Sequence, residues 1–361
     1  MQPRGRKHVT MGVAGVAAIA AAVALSACSS SPKPSGNGSP SAAALSGTLN
    51  GAGSTFQTTF QEAAISQFKS VQSGMTVNYD GVGSGTGRTD LYSATVNFAG
   101  SDSPIPATET ANLKGRSVLY FPVVIGPITL SYNLTGVSNL KLSPTVIANI
   151  FQGNIKTWND PAIKALNPGV SLPSTAITTA VRSDSSGTTQ NFTLFLQNAV
   201  PSVWKLGSAS TIKWPSTAHA GAQNAGVASI IKSTPGAIGY VDYSTAKASG
   251  LTFASVQNKA GDFVAPSPTA SSVDAADATI KANLTFAAAD ASSNPAAYPV
   301  TYQSWDLVYA QQPSANDAAM LKDYLGYLLG AGQQLLPSLY YAPLPSGLDQ
   351  KAVAQLSQIT G

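Results

Sequence analysis

Three stretches of the chain combine glycine, serine and threonine in a way that suits anion binding. They are GAGSTF at 51–56, GVGSGTG at 81–87 and SSGT at 185–188, each at the start of a predicted helix. A helix start presents unpaired backbone N–H groups and the positive end of the helix dipole, and glycine lets the backbone approach an anion closely. Any one stretch can be an ordinary N-cap and turn. Three together predict a single oxyanion held from several directions.

Two charged residues, Arg182 and Asp102, lie where such a site would form. Arg182 follows a predicted strand at 177–181, and Asp102 follows a predicted strand at 96–98. Ligands of open α/β sheets bind at strand ends. Arg182 offers a planar fork of donors that fits an oxyanion, and Asp184 is placed to hold that guanidinium. The alternative is a surface Arg–Asp pair of little energetic value.

The stretch 81–87 also resembles a nucleotide-binding loop. However, it has neither the lysine of a P-loop nor the glycine spacing of a dinucleotide fingerprint. This weakens a nucleotide interpretation.

Short β-like runs alternate with helical periodicity along the chain, which predicts α/β lobes. The predicted strands lie at 77–79, 96–98, 119–125, 128–132 and 177–181. The predicted helices lie at 56–68, 143–153, 192–199, 317–329 and 348–359. The Ser/Ala/Asp-rich stretch 266–294 departs from this alternation, and we expect it to contribute a helix and surface loops.

The first 28 residues read as an export signal that ends at Cys28. A basic start at 4–7 precedes an Ala/Val-rich run, and Leu25-Ser26-Ala27-Cys28 resembles a lipobox. Cys28 is the only cysteine, so we expect its thiol to carry a lipid rather than a disulfide. The alternative is an uncleaved membrane anchor at 11–27. Residues 29–47 are rich in Ser, Pro and Gly, which predicts a flexible tether.

Charge and length narrow the class of protein further. Removing the three basic residues of the first 27 from the total of 20 leaves 17 basic against 16 acidic residues. A nearly neutral body gives no case for a nucleic-acid surface. About 330 mature residues exceed one ordinary core, so we expect two lobes.

Several motifs occur in the order seen in one known family. They are GAGSTF, NYDGVGSGTG, VNFAGSDSPI, FPVVIGPITLSYN, IFQGNIKTWNDPAIKALNPG, VRSDSSGTTQNFT and PGAIGYVDY. In this order the chain resembles the phosphate-binding proteins (PstS type) of bacterial high-affinity phosphate ABC transporters. The resemblance covers residue 47 to the end and is weakest between 252 and 297.

The resemblance implies an α/β, two-lobed periplasmic-binding fold of type II with its ligand cleft between the lobes. Lobe I would comprise 48–124 plus 299–361, and lobe II 125–298. The partners would be inorganic phosphate, a membrane permease and the membrane through Cys28. We expect a monomer, no nucleic acid, no cofactor and no metal.

The resemblance also implies which residues would contact phosphate. They are Thr55, Phe56, Ser84, Asp102, Arg182, Ser186, Gly187 and Thr188, with Asp184 orienting Arg182. Phosphate keeps a proton at neutral pH and sulfate does not, whereas an ionised carboxylate can only accept. Asp102 would therefore favour phosphate and repel sulfate.

Three other functions are alternatives to phosphate binding. An exported phosphatase or serine hydrolase would use Ser84 or Ser186, but Val82 breaks the G-x-S-x-G frame around Ser84. The mature chain has one histidine, His219, without flanking acids, and no cluster has zinc spacing. His219 is therefore expected at the surface. The other two alternatives are an adhesion or structural lipoprotein and a binder of sulfate or another oxyanion.

Overall fold

The computed structural model describes residues 45–345 and 347–361. The signal peptide, Cys28 and most of the tether lie outside these residues. In the part of the chain that the structure describes, no helix has both the length and the apolar character needed to span a bilayer.

Strands and helices alternate through most of the described chain. In order they are β1 Gly47–Gly53, α1 Thr58–Val71, β2 Met75–Asp80, α2 Ser84–Tyr92, β3 Phe98–Ser101, β4 Val118–Tyr132, β5 Lys141–Leu142, α3 Pro144–Phe151, α4 Pro161–Leu166, β6 Thr178–Arg182, α5 Gly187–Ala199, β7 His219–Gly221, α6 Gln223–Ser233, β8 Ala237–Asp242, α7 Tyr243–Ala248, β9 Thr252–Phe253, β10 Ser255–Gln257, β11 Phe263–Val264, α8 Pro268–Ala275, β12 Thr301–Tyr309, α9 Ala315–Leu329 and α10 Leu348–Gln355. Short 3-10 helices occupy Ala107–Leu113, Ala331–Leu339 and Leu356–Gln358.

Nine of the strands form one sheet with the order β2-β1-β3-β12-β4-β8-β6-β7, and β9 pairs beside β4. Strand β4 connects the two ends of this sheet. Its residues Val118–Pro127 pair with β12, and its residues Ile128–Tyr132 pair with β8. The change of partner lies close to the crossing expected near Val124, and β12 begins close to the one expected near Pro299. The lobe boundaries themselves stay a prediction.

Parallel strands bring their carboxyl ends together in two groups. Strand β1 pairs in parallel with β2 and β3, and β6 pairs in parallel with β7 and β8. The residues that follow β1 and β3 therefore meet at one edge, and the end of β6 supplies another. This is the part of an α/β sheet at which ligands bind.

Burial explains why these segments adopt their structures. Every residue of β12 is buried, and so are all but the first two residues of β4, as expected for strands covered on both faces. Helix α1 buries Phe60, Ala64 and Phe68 on one face, which is the spacing of a single helical stripe.

Most elements confirm the sequence predictions, with shifts at their ends. Helix α3 begins as expected, because Ser143 caps it by accepting from the Val146 N–H. The runs predicted at 119–125 and 128–132 form the single strand β4, which continues through Gly126 and Pro127. The predicted strand at 96–98 begins only at Phe98. Gly47, assigned to the tether, instead opens β1 and pairs with Met75.

The stretch 266–294 differs from its prediction. It supplies the expected helix, α8, but the expectation of surface loops was wrong for Leu284 and Phe286, which are buried. The Leu284 carbonyl accepts from the Trp305 indole N–H at 3.0 Å, and Phe286 packs edge-on against the Trp305 ring. This segment is buried because it covers a large aromatic side chain of β12.

Candidate functional site

The residues expected to contact an oxyanion come together from both groups of strand ends. Thr55 and Phe56 follow β1, Ser84 opens α2 and Asp102 follows β3. Arg182 is the last residue of β6, and Ser186, Gly187 and Thr188 form the N-cap and first turn of α5. The contacts below join these residues into one hydrogen-bonded network.

Asp102 lies at the centre of this network and is 1% exposed. Its Oδ1 accepts from the Ser54 and Ser304 hydroxyls, at 2.5 Å each. Its Oδ2 lies 3.4 Å from Ser84 Oγ, which also accepts from the Asp102 N–H at 3.2 Å. Thus three hydroxyl groups from separate segments orient one carboxylate.

Burial raises the pKa of Asp102 to about 6, although the donors Ser304 and Ser54 oppose the shift. The charge of Arg182 opposes it too. Asp102 is therefore ionised and acceptor-only well above pH 6, and protonated below it.

Arg182 is buried, so the Arg182–Asp184 pair is not a surface ion pair. Its Nε donates to Asp184 Oδ1 at 2.8 Å, and its Nη2 contacts Asp184 Oδ2. Burial tends to raise the pKa of Asp184, but the hydrogen bond and charge of Arg182 hold it below its ordinary value. The carboxylate thus fixes one edge of the guanidinium.

The start of α5 approaches Asp102 closely because residue 187 is glycine. A Cβ at this position would lie 2.5 Å from Asp102 Oδ2 and 2.6 Å from Ser84 Oγ. Ser186 caps the helix by accepting from the Thr189 N–H at 3.2 Å. The N–H groups of Gly187 and Thr188 lie in the first turn, where an α-helix offers no acceptor.

Thr55 connects the two groups of strand ends. Its Oγ1 accepts from Arg182 Nη1 at 3.3 Å and from Asn224 Nδ2 at 3.0 Å. The neighbouring Phe56 N–H donates to Ser54 Oγ at 3.1 Å, so this amide is engaged within the protein. The hydroxyl of Thr55 is thus the atom of this loop that faces Arg182.

Sequence reasoning missed three residues of the network: Ser54, Asn224 and Ser304. Ser54 lies inside the glycine-rich motif at 51–56, and Asn224 lies in the first turn of α6, so both carried a local signal. Ser304 lies within β12, 202 residues from Asp102 along the chain. No local pattern marks such a position.

A cleft of about 810 Å³ reaches the network, and its lining includes Asp102 itself together with Asn191, Asn198 and Gln303. These side chains already have partners. Asn191 and Gln303 donate to the Asp102 carbonyl at 2.7 and 3.1 Å, and Asn198 donates to the Ala289 carbonyl at 3.2 Å. Asn191 and Gln303 therefore hold the backbone of Asp102 in place.

In the described residues neither Ser84 nor Ser186 forms the serine–histidine pair that a serine hydrolase would use. His219 is exposed at the start of β7, and among the described residues neither serine hydrogen-bonds to a histidine. Within residues 45–345 and 347–361, no group of three or more His, Cys, Asp or Glu side chains could hold a metal ion.

An α/β sheet that gathers one buried arginine, one buried carboxylate and several helix starts is typical of a solute-binding protein. The PBP superfamily domain matches residues 38–331. The chain belongs to the phosphate-binding protein PstS family. It is 38% identical over 320 residues to phosphate-binding protein PstS of Pasteurella multocida, covering 85% of this chain and 89% of that protein. Phosphate-binding protein PstS 3 of Mycobacterium leprae is 33% identical over 317 residues, covering 84% and 85%.

Solved structures show the same fold. A high-affinity periplasmic phosphate-binding protein, PfluDING, superposes with a TM-score of 0.68 at 21% identity, covering 86% of this chain and 94% of that one. A phosphate-binding protein from Stenotrophomonas maltophilia gives 0.66 at 20% identity, covering 85% and 93%. The predicted fold and family are thus confirmed, while the individual site residues stay predictions.

The serine hydroxyls around Asp102 should control its ionisation. Replacing Ser304 by alanine removes one donor to a buried carboxylate, a bond to a charged group that contributes about 1.5–3 kcal/mol. We expect Ser304→Ala to raise the pKa of Asp102 further, by about 1–2 units. Carbon NMR of the aspartate carboxyl groups measures the shift.

Ser131→Ala is the matched control, because Ser131 is also buried but bonds to Thr129. It should leave the pKa of Asp102 unchanged. An equal shift in both variants, or none in Ser304→Ala, would refute the role of Ser304.

Proposed function

We propose that this protein binds inorganic phosphate outside the cytoplasm and delivers it to the permease of an ABC transporter. The observation that carries the proposal is Asp102, a buried carboxylate that lies among serine hydroxyls and within reach of the charge of Arg182. The names of the relatives support it. A structural neighbour named as a putative phosphate ABC transporter substrate-binding protein carries bound phosphate, as does PfluDING.

The remaining residues supply donors for the other phosphate oxygens. Arg182 contributes the positive charge, and Asp184 holds it in place. The hydroxyls of Thr55, Ser84, Ser186 and Thr188, together with the backbone N–H groups of Gly187 and Thr188, complete the proposed shell. The N–H groups of Phe56 and Ser186 already donate to Ser54 Oγ and to the Ser210 carbonyl, so the expected contact through the Phe56 amide would require that hydrogen bond to break. Backbone groups at helix starts hold an anion without adding another formal charge.

Asp102 provides the selectivity. Its ionised carboxylate accepts a charge-assisted hydrogen bond from the protonated oxygen of phosphate. Sulfate is fully deprotonated and would place only lone pairs against the carboxylate. Disrupting a buried charged hydrogen bond costs about 2–5 kcal/mol, which corresponds to a large difference in affinity. The same carboxylate would therefore strengthen the binding of phosphate and weaken that of sulfate.

We propose that binding accompanies hinge closure of the two lobes, 48–124 plus 299–361 and 125–298. Contacts already link segments assigned to different lobes. The Gly85 N–H donates to the Ser185 carbonyl at 3.0 Å, and Thr55 contacts Arg182. Such contacts form only when the lobes meet, so a ligand that bridges them shifts the population toward the closed form. That form is the one a permease would recognise.

We further propose a lipid-anchored monomer without cofactor, metal or catalytic activity. Cys28 would carry the lipid after removal of residues 1–27, and the tether would separate the body from the cell membrane. The sequence around Cys28 supports this anchoring. In the described residues no histidine hydrogen-bonds to Ser84 or Ser186, and the carboxylate beside Ser84, Asp102, is already held by two other serine hydroxyls, which supports binding over hydrolysis.

The function and the role of Asp102 are tested together by calorimetry with phosphate and sulfate between pH 8 and pH 5. At pH 8 we expect one phosphate to bind per chain and sulfate to bind far more weakly. Because the pKa of Asp102 is about 6, its carboxyl is protonated at pH 5 and can donate to sulfate. Sulfate affinity should rise as the pH falls, by up to about 90-fold if only the protonated form binds sulfate.

Asp102→Asn is the matched variant, since asparagine keeps the shape but does not titrate. In this variant the preference for phosphate over sulfate should shrink, and sulfate affinity should no longer change between pH 8 and pH 5. A wild-type protein that shows no heat with phosphate would exclude the proposed function. An unchanged preference in Asp102→Asn would exclude the role of Asp102 alone.

Lipid anchoring is tested by Cys28→Ser in a bacterial host supplied with labelled palmitate. We expect the wild-type chain to be labelled and membrane-bound, and Cys28→Ser to be unlabelled and no longer processed as a lipoprotein, because serine lacks the thiol nucleophile. Ser29→Ala is the neighbouring control and should behave as wild type. Wild-type protein that stays in the membrane without label would favour the anchor at 11–27.

A further inference from the structure

Asn224 lies between the arginine and the threonine of the proposed site. It is the second residue of α6 and is 1% exposed. Its Oδ1 accepts from Arg182 Nη1 at 3.3 Å, and its Nδ2 donates to Thr55 Oγ1 at 3.0 Å. The same Nδ2 lies 3.5 Å from Thr188 Oγ1. One amide thus contacts three side chains proposed to surround the anion.

The chemistry of Arg182 determines the orientation of this amide. A guanidinium has donors and no acceptor. The Asn224 atom that faces Arg182 must therefore be the oxygen, and the nitrogen must face Thr55. Reversing the amide would place two donors against each other, so only this orientation satisfies Arg182.

The amide in turn determines what the Thr55 hydroxyl can do. A hydroxyl oxygen has two lone pairs and one proton. Arg182 Nη1 and Asn224 Nδ2 both donate to Thr55 Oγ1, so its lone pairs are occupied. The proton remains for another acceptor, and among the described residues Thr55 Oγ1 donates to no protein atom within hydrogen-bond distance.

We infer that Asn224 is a positioning residue that makes Thr55 a donor-only contact to the bound anion. This inference rests on the proposed function. Thr55 then favours an unprotonated, charged oxygen, which is the stronger acceptor, while ionised Asp102 requires a protonated one. The site would thus read the position of the ligand's proton at two residues, Asp102 and Thr55. Asn224 would act on the second of these through its hydrogen bond to Thr55.

The arrangement exists only when the elements that carry it lie together. Thr55 follows β1, whereas Asn224 lies on α6 and Arg182 ends β6. Separation of the lobes would release Thr55 from both donors and let its hydroxyl rotate. Closure therefore creates the donor-only state at the moment when the anion is enclosed.

A double-mutant cycle measured by phosphate calorimetry at pH 8 tests this dependence. We expect Asn224→Ala to weaken phosphate binding by about tenfold, the size of a typical single hydrogen bond to a charged group. Thr55→Val should weaken it at least as much. Because Asn224 acts through Thr55, adding Asn224→Ala to Thr55→Val should change the affinity by less than about twofold.

Asn224→Asp gives a second test that preserves packing, since the two side chains have nearly the same shape. Aspartate would accept from both Arg182 and Thr55, which draws the Thr55 proton away from the anion. Its loss of affinity should exceed that of Asn224→Ala, with little change in melting temperature. Asn316→Asp is the charge control, because this exposed residue in the first turn of α9 tolerates an acid.

The outcomes distinguish the role of Asn224 from the proposed phosphate binding. Wild-type binding with additive losses in the double mutant would show that Asn224 does not act through Thr55, and would overturn this inference alone. An Asn224→Asp variant that binds phosphate as tightly as Asn316→Asp would overturn it as well. A wild-type chain that binds no phosphate would remove the proposed function and this inference with it.

Discussion

The burial of one carboxylate determines how the site is built. Burial of Asp102 disfavours its ionised form. Hydrogen bonds from the hydroxyls of Ser54, Ser84 and Ser304 stabilise the ionised form and oppose this effect. These serines belong to three separate segments that only the folded sheet brings together. A buried carboxylate with all its donors in place is rigid, and in the proposed function that rigidity would let Asp102 distinguish ligands by their protons.

The site also depends on the close approach of the α5 backbone to Asp102. Gly187 lets the start of α5 reach Asp102 and Ser84, where any side chain would collide. The positive charge of Arg182 is largely balanced by Asp184, so the proposed anion would be held mainly by oriented hydroxyls and N–H groups. Such dipoles are fixed by the fold and need little rearrangement when the anion enters.

The α/β class and many of the site residues could be predicted from the sequence, because the patterns that mark them are local. The glycine-rich helix starts, the serine cap of α3 and the residues that follow each strand are short-range features, and they predicted the α/β class and the grouping around Asp102. Ser304 and Asn224 could not be found in this way. Their roles depend on pairing across the sheet and on contacts 202 and 169 residues distant along the chain.

The segment 266–294 illustrates the same limit. Its Ser/Ala/Asp-rich composition indicates solvent exposure. However, Leu284 and Phe286 are buried because this segment packs against the side chain of Trp305. Composition describes what a segment contains, whereas burial depends on what lies opposite. A long-range partner can thus bury a segment that reads as a loop.

The central claim is that Asp102 and Arg182 hold one phosphate between the two groups of strand ends. A crystal structure of the protein grown with phosphate at pH 8 tests it most directly. The account predicts one phosphate with an oxygen within hydrogen-bond distance of Asp102 Oδ2 and another contacting Arg182. Phosphate bound elsewhere, or bound here without a contact to Asp102, would contradict it.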